Sequence, residues 1–197
     1  MSFTTAGHTV EENEFVSNYL DPGIHEAKIQ KIEYFESAGG TPGMKITHEG
    51  RPEGDSPGQT AETTWWLSPN AWTYTKDRLV IMADKLEVRE GLDAINVEGP
   101  EEYVRAVAPL FQGKTARWKF AGEEIAGKEG KANWTKAGLA GYGFIEALGT
   151  NPSKLKFDPA SKWDMKKLPV ADSEVPSSNG VSTEETSSNS DDDPWIS

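Results

Sequence analysis

Residues 63–86 read TTWWLSPNAWTYTKDRLVIMADKL, and where this stretch changes period decides how the whole chain divides. Ser68-Pro69 offers an N-cap followed by proline at the first helical position, where a fixed φ suits a turn that needs no amide donor. Trp72, Thr75, Leu79, Met82, Ala83 and Leu86 then recur at spacings of three and four, which gathers them on one helical stripe able to seal a core. Immediately before, over residues 60–67, Thr63, Trp65 and Leu67 alternate with Glu62, Thr64 and Trp66. That two-residue repeat is a strand with one face turned inward.

Upstream, residues 24–35 follow the turn signal Asp21-Pro22-Gly23 and read as a strand. Ala27 and Ile29 share one phase while Ile32 and Tyr34 occupy the other, a single slip that predicts a β-bulge bending the strand. Residues 44–48 place Met44, Ile46 and His48 on one face. Downstream, a weaker helix follows Pro100, with Tyr103, Val104, Val107 and Leu110 along one side. Residues 114–121 set Ala116, Trp118 and Phe120 against Thr115, Arg117 and Lys119, and a Gly- and Lys-rich loop then runs to about Gly138. Residues 142–148 are expected to form the fifth strand. Three strands, one or two helices, then two strands is the order of a mainly β, five-stranded OB-fold, a Greek-key barrel that binds oligonucleotides on one face.

The charge balance is −12, which argues against a phosphate ligand if spread evenly. It is segregated instead. Residues 172–197 hold seven acids and neither Lys nor Arg, leaving −5 for residues 1–171. Within the latter, residues 114–136 hold six bases against three acids. The segment after Leu168 is rich in Ser, Asn, Pro, Asp and Glu and too poor in apolar residues to offset chain entropy, so a disordered acidic tail is expected. The expected organisation is an N-terminal arm (1–19), the barrel (20–150), a transitional segment (151–170) and the tail (171–197).

Two stretches, LDPGIHEAKIQKIEYF over 20–35 and GTPGMKI over 40–46, resemble the first hairpin of bacteriophage single-stranded DNA-binding proteins. LFQGKTARWKF over 110–120, with GFIE over 143–146, is similar to their last two strands. DDDPWIS at 191–197 resembles the acidic tail with an apolar tip found in bacterial and phage members of this class, although the familiar bacterial tip ends in Pro-Phe. The resemblance implies a non-enzymatic protein of the bacterial host cytoplasm. Such a protein coats single-stranded DNA in replication and recombination and recruits a polymerase, helicase, nuclease or recombinase through its tail.

Sequence-tolerant binding of a single strand needs cations along the phosphates and flat rings under the bases. Residues 114–136 interleave Arg117, Lys119, Lys128, Lys131 and Lys136 with Trp118 and Trp134. Trp134 lies in a polar, glycine-flanked stretch, which favours a ligand role. Trp65 and Trp118 share their phase with apolar neighbours and read as core, whereas Trp66 faces the other way and reads as a stacking platform. Arg117 and Lys119 are expected to point to solvent or ligand if Trp118 is buried. Lys28, Lys31, Tyr34 and Lys45 complete the candidate set, with the bulge position deciding whether Tyr34 or Phe35 turns outward. In the tail, Asp191, Asp192 and Asp193 before Pro194, Trp195 and Ile196 form a short motif suited to a basic-rimmed apolar pocket on a partner.

Enzymatic readings are thin. Residues 122–128 mimic the opening of a phosphate-binding loop, but Glu129 stands where Ser or Thr must meet magnesium. His8, His25 and His48 are isolated, there is no cysteine, and no Gly-x-Ser-x-Gly elbow occurs. No metal or cofactor is expected. Residues 1–10 lack the basic and apolar regions of a secretory signal, consistent with the expected cytoplasmic location. The competing expectation is a protein-binding adaptor or structural phage component on a small β-barrel.

Overall fold

A computed structural model of the chain describes residues 18–128 and 132–168. The tail motif Asp191 to Ile196, Lys131 and most of the expected arm lie outside the described residues.

Among the described residues the architecture is mainly β: a seven-stranded open sheet, antiparallel apart from one short pair, with three helices. Strand β1 (Gly23–Glu36) is the long central member. Its first half pairs with β4 (Thr115–Ile125) and its second half with β2 (Pro42–Gly50). Within the β1–β2 ladder, just past the end of the β1–β4 ladder at Lys28, the register slips at Ile29/Lys31, the bulge that the phase slip predicts. The consequence is that Ala27 and Ile29 face inward before it and Ile32 after it, all buried. β2 also pairs with β3 (Thr60–Trp66), and β4 with β5 (Trp134–Leu139), giving the path β3-β2-β1-β4-β5. The two outer strands of this path approach each other: the Leu139 amide donates to Thr63 Oγ1 at 2.8 Å.

Between β3 and β4 lie α1 (Pro69–Lys85), α2 (Arg89–Asp93) and α3 (Pro100–Phe111). α1 starts after Ser68 with Pro69 in its first turn, as expected, although the Ser68 hydroxyl makes no capping bond. Thr75, Leu79, Met82 and Ala83 form its buried stripe, and the Thr75 hydroxyl ties the helix to β3 through the Trp66 carbonyl at 2.7 Å. Inside, Met44, Ile46, Trp65, Trp118, Phe120 and Phe111 fill the core, so Trp65 and Trp118 are structural.

The fifth strand differs from expectation. β5 occupies residues read as loop, whereas the region expected to hold it contributes only β6 (Ile145–Glu146), a two-residue pairing with β4. Phe144 and Ile145 are apolar because they turn into the core. β7 (Met165–Lys166) pairs with β4 in parallel and completes the sheet.

His48 is fully buried, with its ring 4.6 Å from Trp118 and 5.4 Å from Phe120, and neither ring nitrogen has a hydrogen-bond partner. Burial lowers its pKa from 6.5 to about 3. The unfolded chain therefore takes up this proton well before the folded one, and stability is lost as pH falls through that window, at roughly 1.4 kcal/mol per pH unit. His48→Leu is expected to flatten the decline of the urea midpoint between about pH 6.5 and about pH 4. Equal slopes in both proteins would overturn that assignment.

Candidate nucleic-acid interface

The outer face of β1, β2 and β3 is set by cross-strand rows. One row is Phe35, Gly43 and Trp66; the next is Glu33, Lys45 and Thr64; then Lys31, Thr47 and Glu62; then Lys28, Glu49 and Thr60. Phe35 and Trp66 meet across Gly43 with ring centroids 5.4 Å apart and planes at 55°. A side chain at 43 would collide with the Phe35 ring, so glycine is what lets the two aromatics close over β2. The pair forms a hydrophobic platform at the β1–β2 hairpin end of the face.

Tyr34 does not join it. With the bulge at Ile29/Lys31, Ile32 and Tyr34 take the inner phase, and Phe35 is the ring that turns outward. The Tyr34 hydroxyl donates to Glu36 at 2.7 Å, and that bond, with partial desolvation, pushes its pKa up to about 12. It lines a shallow cleft of about 440 Å³ against Val104 and Ala108 of α3.

Lys28, Lys31 and Lys45 lie on the outer face as cations that already have partners. Lys28 meets Glu49 at 3.0 Å, Lys31 meets Glu33 at 2.6 Å and Lys45 meets Glu62 at 3.7 Å. Exposed pairs of this kind are weak, so a phosphate can compete for the same ammonium groups.

At the other end of the face stands the β4–β5 hairpin. Ile125 opposes Trp134 and Glu123 opposes Lys136. Ala137 and Leu139 are buried, which by alternation sends Trp134 and Lys136 outward, and Trp134 is 53% exposed. Lys128 is exposed in the connecting loop, and neither it nor Lys136 forms an ion pair among the described residues. Since Leu139 sits beside Thr63, the hairpin runs back along β3 toward its start.

Arg117 and Lys119 depart from expectation. They point away from Trp118, but not into solvent, because residues 145–168 lie over that side of β4. Arg117 donates to Glu146 at 2.8 Å, to Glu26 at 3.3 Å and to the Thr150 carbonyl at 3.2 Å. Lys119 meets Asp164 at 2.8 Å. Burial acts to raise the Glu146 carboxyl, but bonds from Ser153, the Lys154 amide and Arg117 outweigh it and hold the pKa below the usual range. Asp164 is lowered in the same way: burial is outweighed by Lys119 and the Asp158 amide. Met165 packs over Gly122, where any side chain would collide with it, and the Leu168 amide donates to Glu124 at 3.0 Å. Both cations therefore fasten a polypeptide strap.

The structure thus brings Trp66 together with Phe35, the outward one of the two alternatives Tyr34 and Phe35, places Trp134, Lys128 and Lys136 on one hairpin, and engages Arg117 and Lys119 elsewhere. Among the described residues no group of three His, Asp or Glu side chains is placed to hold a metal ion, and no helix is long and apolar enough to cross a membrane. No protein-family model and no curated protein matches the chain.

Proposed function

We propose that this protein binds single-stranded DNA, in the manner of the bacteriophage proteins it resembles, on the barrel of an OB-fold. The barrel reading is supported by a bulged β1 shared between two ladders, helices between β3 and β4, and the approach of β5 to β3. The observation that carries the function is the pairing of outward aromatics at both ends of one face: Phe35 and Trp66 at one, Trp134 at the other. Bases stack on these rings, and Lys128 and Lys136, joined by Lys28, Lys31 and Lys45 as they exchange carboxylate for phosphate, follow the backbone. The acidic tail recruits replication or recombination proteins, and the protein works without catalysis in the host cytoplasm.

Titrating the chain with dT oligomers while following tryptophan fluorescence tests this. The expected result is quenching, with an affinity that falls with salt at a log-log slope of about −0.7 per neutralised phosphate. A second reading, a protein-binding adaptor, is favoured by the neutralised charges of β1 to β3. Absence of both quenching and salt-sensitive binding would select it.

A further inference from the structure

The chain has five arginines, and four of them are committed to carboxylates: Arg51 to Glu26, Arg89 to Asp93, Arg105 to Glu101 and Arg117 to Glu146. Arg78 pairs with no carboxylate among the described residues. It projects from the middle of α1 with its guanidinium carbon 5.8 Å from the ring centre of buried Trp65. Gly141, in the loop after β5, comes close to the Arg78 Nη2 atom, which lies 3.6 Å from the position a Cβ would take there. Tyr142 follows at 77% exposure, and Tyr74, one turn earlier on α1, is 57% exposed. Partial burial lowers the pKa of Arg78, as befits a guanidinium that has lost water without gaining an anion.

This arrangement sits where the candidate face ends. Trp65 and Trp66 are consecutive in β3 but turn to its opposite sides, inward and outward, and the loop carrying Gly141 and Tyr142 leaves β5 just past the Leu139–Thr63 contact, at the same end of β3. On the proposed single-strand reading, a strand that passes Trp66 leaves the face at the end of β3 beside this loop. We propose that Arg78 and Tyr142 form a terminal subsite of the single-strand path, Arg78 taking one phosphate and Tyr142 stacking the neighbouring base. A planar guanidinium braced on an indole presents paired N–H donors to a phosphate in a fixed plane. An exposed tyrosine beside it adds a sequence-tolerant base platform. The combination fits a nucleic-acid backbone better than a lone protein carboxylate, which has no use for the ring.

The inference rests on the single-strand reading, and salt dependence separates the two. In the full chain, Arg78→Gln is expected to weaken dT binding about fivefold and to reduce the log-log salt slope by about 0.7, the share of one phosphate. Arg78→Lys should keep the slope, and Tyr142→Ala should weaken binding about fivefold with the slope unchanged. Wild-type binding together with an unaltered slope in Arg78→Gln would overturn the subsite alone. No binding by the wild type would overturn both proposals. If Arg78→Gln leaves the DNA slope intact but loses an acidic peptide of the 184–197 sequence, the guanidinium serves a protein carboxylate and the subsite is likewise overturned.

Discussion

Replacing Trp66 and Trp134 by alanine is expected to weaken dT-oligomer binding by about 1–3 kcal/mol for each ring, on the order of 5- to 150-fold. The two rings mark opposite ends of one face and share no partner, so the double variant should lose nearly the sum of the single losses. Neither side chain fills the core: Trp134 is 53% exposed and Trp66 packs outside the sheet on Phe35. The unfolding midpoint should therefore move little. Anisotropy of a labelled oligomer is the suitable readout, because it does not depend on the fluorophores being removed. Affinities equal to wild type in both single variants would remove the stacking surface on which the functional proposal stands.

Trp118→Ala should do the reverse, costing about 3–5 kcal/mol of folding stability in urea unfolding. Its ring is fully buried between β1, β4 and the His48 edge, and its indole N–H donates to the Ala27 carbonyl at 2.7 Å. Truncation leaves a cavity and deprives that carbonyl of its donor, so the two losses fall together. Trp118→Phe retains most of the volume and should lose about 1–2 kcal/mol. A Trp118→Ala protein as stable as wild type would contradict the packing described for the core.

What the sequence makes legible follows the range of the interactions involved. The bulge in β1, the inward face of Met44, Ile46 and His48, the start of α1 and the burial of Trp65 and Trp118 are all written in local periodicity. β5 is not, because Trp134-Thr-Lys-Ala-Gly-Leu139 has only one aliphatic residue larger than alanine, and its ladder depends on an equally polar end of β4. Phe144 and Ile145 mimic a strand because a buried turn and a buried strand need the same side chains. The orientation of Arg117 and Lys119 is legible from alternation, but the acids that meet them, Glu146 and Asp164, are 29 and 45 residues away. Phe35 and Trp66 become a pair only once the register over Gly43 is known. Arg78 carries no sequence signal beyond its place at the margin of a helical stripe.

The bond from the Leu168 amide to Glu124 fixes more than the end of the strap. Glu124 opposes Thr135, one residue from Trp134, so Leu168 is moored at the loop end of the β4–β5 hairpin, beside the ring proposed to stack on a base. On the proposed function, a partner gripping the final residues would be retained beside the bound strand, at a local concentration set by the length of chain after Leu168 and not by its abundance in the cell.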